Sequence, residues 1–211
     1  DGGATFDRVC ALARRHGAAV VALAIGRDGM AMTADDKVAV AREMLARAVT
    51  RHGLRAEDLL IDPLTFTVGS GDASLRTAAA ETLAAIGRIK RELPGVGTVL
   101  GISNVSFGLP AAARRTLNSV FLHEAVAAGL DAAIVDVARI QPLHAIGETE
   151  RRLCLDLLLD RAPAAEAPTA TGGADATSPP LAAFLRHFGS RREKAEPEDE
   201  ARQIGRASCR E

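Results

Sequence analysis

A parallel β/α fold is what this sequence predicts, on three observations. Four short apolar runs begin near residues 20, 59, 98 and 132, about 35 to 40 residues apart, which is the period of β/α units. Each run gives way to a polar residue: Asp28, Asp62, Asn104 or Asp136. Between the runs, apolar residues recur at helical spacing.

Taken in order, Phe6, Val9, Cys10 and Ala13 mark one face of a short helix that ends at Gly17. Residues 18 to 25 form an unbroken apolar run, the pattern of a parallel strand buried on both faces. Its exit loop holds Gly26, Arg27, Asp28 and Gly29. Thr33 can cap the next helix, with Val38, Ala41, Leu45 and Val49 inward and Gly53 closing it. Leu59, Leu60 and Ile61 make the second strand, stopped by Asp62-Pro63. A loop over residues 67–72 opens a long helix with Leu75, Ala79, Leu83, Ile86 and Leu93 inward, ended by Pro94-Gly95. Val96, Val99, Leu100 and Ile102 lead to Asn104. Leu117, Val120, Phe121, Ala125 and Ala128 then recur at helical spacing up to Gly129. Residues 132 to 135 are a last apolar run, and a helix from about Gly147 to Asp160 buries Leu153, Leu157 and Leu158.

A closed barrel of this type needs eight units and about 250 residues, so four units amount to half a barrel. Residues 162–180 are rich in Ala, Pro, Thr, Gly and Ser and read as a disordered linker. Leu181, Phe184, Leu185 and Phe188 form a short amphipathic helix within a segment reaching residue 203, whose later part is charged. Residues 204–211 read as the translation of a sequencing adapter and stand outside the fold. The chain starts at Asp1 directly before a helical pattern, as an internal piece of a longer protein would.

Composition excludes several classes. Among 211 residues, 47% are hydrophobic, enough for an alanine-rich core. With no Trp, no Tyr and a formal net charge of -1, neither nucleic acid nor a membrane surface is an expected partner. No apolar run is long enough to span a bilayer. Cys10, Cys154 and Cys209 are far apart, which suits a reduced, cytoplasmic setting without disulfides. The five histidines neither cluster nor pair at metal spacing, so no metal site is expected here. Gly95-x-Gly97 precedes its strand, the wrong order for a dinucleotide fingerprint. Gly69-Ser70-Gly71-Asp72 reads as a capped turn.

One combination of motifs is long and ordered. Asn104-Val105-Ser106-Phe107-Gly108-Leu109-Pro110 is followed by Arg114 and by Leu117-Asn118-Ser119-Val120-Phe121-Leu122, with Ile61-Asp62-Pro63-Leu64 upstream. It resembles the pterin-binding domain of cobalamin-dependent methionine synthase. The resemblance covers roughly residues 1 to 160 and, more weakly, 181 to 190. It implies the second half of a TIM (β/α)8 barrel, followed by a linker and a short helix. The implied substrate is 5-methyltetrahydrofolate, whose methyl group passes to cob(I)alamin and then to homocysteine. Cobalamin would be held by a separate cobalamin-binding domain of the same full-length chain, the partner of this one. Zinc would belong to the homocysteine domain. With two sheet edges unpaired, the isolated piece is expected to be inactive and aggregation-prone.

The resemblance also assigns residues. Asp62 sits at the pterin-holding Asp-Pro-Leu position. A carboxylate on a rigid strand end can accept two parallel N–H bonds from a pterin's aminopyrimidinone edge; an Asp-Pro turn is the plainer reading. Asn104 sits at the family's catalytic asparagine. A carboxamide can donate or accept, so it can follow N5 as that nitrogen becomes a leaving group; alternatively it ties down its own loop. Arg114 matches a pocket-lining arginine, with Arg115 next to it as the competitor and a solvated helix-start charge as the plainer role. Asp136 could line the mouth. A stand-alone methyltetrahydrofolate:corrinoid protein methyltransferase and a non-catalytic pterin-binding module are the alternatives.

Overall fold

The computed structural model describes residues 3–27, 29–161 and 178–189. Four strands form one sheet in sequential order: β1 (Val20–Leu23), β4 (Leu59–Asp62), β5 (Gly97–Gly101) and β6 (Ala132–Ile134). All neighbours are parallel, with Val20 opposite Leu59, Leu60 opposite Gly97 and Val99 opposite Ala132. β2 (Ile25–Gly26) and β3 (Gly29–Met30) make a separate two-residue antiparallel ribbon after β1. Asp28 lies outside the described residues.

The helices follow the apolar spacing. α1 (Ala4–His16), α2 (Ala34–His52) and α4 (Ala111–Ala128) end at Gly17, Gly53 and Gly129, each in the left-handed conformation that suits glycine. Thr33 caps α2: its hydroxyl accepts the Asp36 N–H at 3.1 Å, and the Asp36 carboxylate accepts the Thr33 N–H at 3.4 Å. α3 (Ala78–Glu92) begins later than the sequence suggests, because Asp72 first caps a single 3-10 turn at residues 73–75. α5 (Glu148–Leu158) and α6 (Pro179–Gly189) complete the chain. Consecutive helices α1 to α5 pack against one another, so they share one face of the sheet.

Two apolar clusters fill that face. One joins α1, β1, α2 and β4 through Cys10, Val20, Val38, Ala41, Leu59 and Ile61. The other joins β5, α4, α5 and α6 through Leu100, Leu117, Phe121, Leu157, Leu181 and Phe184. α6 begins two residues inside the segment read as linker, and it packs on α5. Residues 162–177 of that linker, the charged segment from 190 and the adapter-like end lie outside the described residues.

The exposed and buried faces differ from expectation on several elements. Residues 18 to 25 do not form one strand buried on both faces. β1 ends at Leu23 and alternates, with Val21 55% and Leu23 46% exposed, because no described element covers the sheet face away from the helices. Ile134 on β6 is 67% exposed, on a strand whose residues are not buried. On α2 the inward stripe runs through Val38, Ala41 and Ala48, leaving Val49 43% exposed, and it takes in Lys37, which is fully buried. On α1, Val9 is turned outward, into a cleft of about 500 Å³ between α1, β1 and α2.

At the end of the sheet where strands start, Asp131 locks β6 to β5. Its carboxylate accepts the Thr98 N–H at 2.7 Å, the Thr98 hydroxyl at 3.0 Å and the Lys90 ammonium at 2.9 Å. The opposite end, where strands finish, is built of loops.

Candidate functional site

Asp62 is the last residue of β4, and Asn104 lies in a 3-10 turn (Ile102–Ser106) that continues β5. These strands are parallel neighbours, so both residues leave the same end of the sheet. Their loops are joined. The Val68 N–H donates to the Val105 carbonyl at 3.0 Å, and the Thr67 hydroxyl donates to the Phe107 carbonyl at 2.6 Å. Gly69 permits this approach: a Cβ there would lie 2.5 Å from Leu109 Cγ. Leu109 and Val68 are both buried, which makes the loop pair part of the core and not a loose fringe.

Asp62 is half-buried, and one of its oxygens is committed. Oδ1 accepts the Leu64 N–H at 2.8 Å, while Oδ2 has no hydrogen bond among the described residues. Burial pushes its carboxyl above the usual carboxylate range, against the pull of the Leu64 N–H and the Lys37 charge. The Asp-Pro turn anticipated as the plain reading is therefore present, and it spends only half of the carboxylate.

Asn104 is exposed, and its side chain makes no hydrogen bond among the described residues. Only its carbonyl is used, accepting the Phe107 N–H at 3.2 Å. Its carboxamide nitrogen lies 3.2 Å from where a Cβ at Gly101 would be, so glycine there leaves the amide its room. The expected competitor role, a side chain tying its own loop, is not what holds this turn. Ser106 does that instead: its buried hydroxyl donates to the Ser103 carbonyl at 3.1 Å and accepts the Arg114 Nε–H at 3.2 Å.

Arg114 and Arg115 differ accordingly. Arg114 is half-buried and reaches back to the Asn104 turn, whereas Arg115 is exposed. Both line a cavity of about 190 Å³ with Ser103, Asn118, Asp136 and Arg139. Neither Asp62 nor Asn104 lines it. The Asn118 carboxamide oxygen is buried with no hydrogen-bond partner, an acceptor still open. Asp136 is a cap: it accepts the Ala138 N–H at 3.2 Å and pairs with Arg139 at 3.1 Å. Ser106, Asn118 and Lys37 are members of this region that sequence reasoning gave no role. Ser106 and Asn118 stand within the ordered motif, which is the signal that could have found them; Lys37 had none, since a lysine in a first helical turn reads the same whether solvated or buried.

A family model described as pterin binding enzyme matches residues 1–136, which include Asp62, Asn104 and Arg114. The chain belongs to the pterin binding enzyme family. Methionine synthase of Mycobacterium tuberculosis is 47% identical over 156 residues, covering 74% of this chain and 13% of that protein. Methionine synthase of Mycobacterium leprae is 46% identical over 156 residues, with the same shares. The chain thus spans about 13% of the length of these relatives. In this chain no described helix is long and apolar enough to cross a membrane, and no group of metal-ligating side chains occurs among the described residues.

Proposed function

We propose that the chain is four of the eight β/α units of a pterin-binding barrel and that it holds 5-methyltetrahydrofolate at the ends of β4 and β5. Supporting the barrel are the sequential all-parallel strand order and the helices gathered on one face. In the doubly wound alternative the order would reverse and helices would cover both faces. The exposed side chains of Val21, Leu23 and Ile134 would then face the barrel interior.

One observation carries the site: the loops after β4 and β5 are hydrogen-bonded together, with a free carboxylate oxygen on one and a free carboxamide on the other. Asp62 Oδ2 accepts from the N–H donors of the pterin's aminopyrimidinone edge. Asn104 stays hydrogen-bonded to N5 as that nitrogen gains electron density, and so eases departure of the methyl group. Arg114, anchored by Ser106, lends positive charge beside the reacting edge. In the complete protein the methyl acceptor is cob(I)alamin, carried by another domain, and homocysteine receives the methyl afterwards to give methionine. The residues of this chain act on the donor alone.

Asn104→Ala in the intact protein tests the reading. Methyl transfer is expected to fall by about 10²-fold, with methyltetrahydrofolate binding reduced only a few-fold. Unchanged turnover would remove Asn104 from the mechanism and leave a pterin-holding module.

A further inference from the structure

Lys37 is the largest fully buried side chain of the molecule as described, and a lysine without solvent is costly unless something repays it. It projects from the first turn of α2 and makes no ion pair among the described residues. Its ammonium donates to the Pro63 carbonyl at 2.5 Å and the Leu64 carbonyl at 3.1 Å, and it lies 5.0 Å from the centre of the Phe66 ring. All three partners belong to the loop that follows Asp62.

Leu64 is where these contacts meet. Its backbone is left-handed, with φ of 64°, an uncommon conformation for leucine. That twist points its carbonyl to Lys37 and to the Thr82 hydroxyl, which donates at 2.9 Å, while its N–H points to Asp62 Oδ1 at 2.8 Å. A chain of hydrogen bonds therefore runs from α2 and α3 through Leu64 to one oxygen of the carboxylate.

We propose that Lys37 is a positioning residue for the pterin-binding carboxylate: by clamping the Pro63–Leu64 turn it fixes which oxygen of Asp62 is spent internally and which faces the ligand. The proposal rests on the pterin reading above. A second consequence is electrostatic. Lys37 is faced by Asp62 from β4, Glu81 from α3 and Asp36 from its own helix, and its positive charge helps keep Asp62 ionised. Burial lowers the lysine to about 8, those carboxylates opposing the shift. The charge is present below that pH and lost above it.

The test is titration of 5-methyltetrahydrofolate into the intact protein across the neutral to alkaline range, for wild type, Lys37→Met and Lys37→Arg. Wild-type affinity is expected to weaken as pH rises through about 8. Lys37→Met should bind about tenfold or more weakly at neutral pH and show no such alkaline limb. Lys37→Arg should recover part of the affinity and also lack the limb, since a guanidinium stays charged. In an Asp62→Asn background, Lys37→Met should add little further loss, whereas a lysine acting only through general stability would add its full effect. Wild-type affinity in Lys37→Met, or an alkaline limb that persists in Lys37→Arg, would overturn the proposal. If Lys37→Met does not fold, the arginine variant decides. If wild type binds no pterin, the ligand reading fails by itself, and amide exchange at Leu64 decides the clamp: faster exchange in Thr82→Val and Lys37→Arg supports it, unchanged exchange refutes it.

Discussion

Asp62 is held where its charge costs the fold. Its carboxyl is raised by burial, so the folded protein binds that proton more tightly than the unfolded chain does. A group of this kind opposes folding when ionised, and its cost shrinks as pH falls through the folded-state value. Asp62→Asn keeps an acceptor for the Leu64 N–H and removes the charge. The variant is therefore expected to match or exceed wild-type stability at pH 7, by up to about 1 kcal/mol, and to lose that advantage as pH is lowered, while losing pterin affinity. Thermal unfolding of both proteins over that range checks the sign. A variant less stable than wild type at neutral pH, with the gap closing at low pH, would mean that the carboxylate is a structural support instead. Asp62 and Asn104 were legible as candidates because they stand at strand ends in an ordered motif. Lys37 was not, because a lysine in a first helical turn looks the same in sequence whether it is solvated or buried under a loop.

At the scale of elements, the helices were easier to read than the faces they bury. Glycines 17, 53 and 129 mark helix ends in sequence and in space, since each is left-handed there. The stripe on α2 holds at Val38 and Ala41 and departs from the pattern only at its end: Ala48, not Val49, is buried, and an alanine-rich helix offers little contrast between one face and the next. α6 is the clearest gain from the structure. Leu181, Phe184 and Phe188 are buried, with the two rings 4.6 Å apart, in the same apolar cluster as Leu157 and Leu158 of α5. Sequence alone shows an amphipathic helix here; as packed, its apolar face joins the core next to α5. Phe184→Ala is accordingly expected to destabilise the fold by about 3 kcal/mol, read as a lowered midpoint in thermal or urea unfolding. An unaltered midpoint would show that α6 contributes nothing to the core.

For the whole molecule, the spacing of apolar runs was sufficient to place all four sheet strands, because a parallel strand leaves a compact hydrophobic signature that a helix of similar composition does not. What spacing leaves open is the covering of each face. β1 and β6 look fully apolar in sequence, yet Val21, Leu23 and Ile134 are open to solvent in the described residues. The sheet end that carries Asp62 and Asn104 is ordered by loop-to-loop hydrogen bonds onto backbone carbonyls, from the Val68 N–H and the Thr67 hydroxyl, a kind of contact that no residue pattern announces. The central claim is that these two side chains address one heterocycle. A crystal structure of the intact protein with 5-methyltetrahydrofolate tests it most directly. The account predicts Asp62 Oδ2 within hydrogen-bonding distance of the pterin's aminopyrimidinone N–H groups and the Asn104 carboxamide within hydrogen-bonding distance of N5; a pterin bound elsewhere, or touching one of the two while the other faces away, would contradict it.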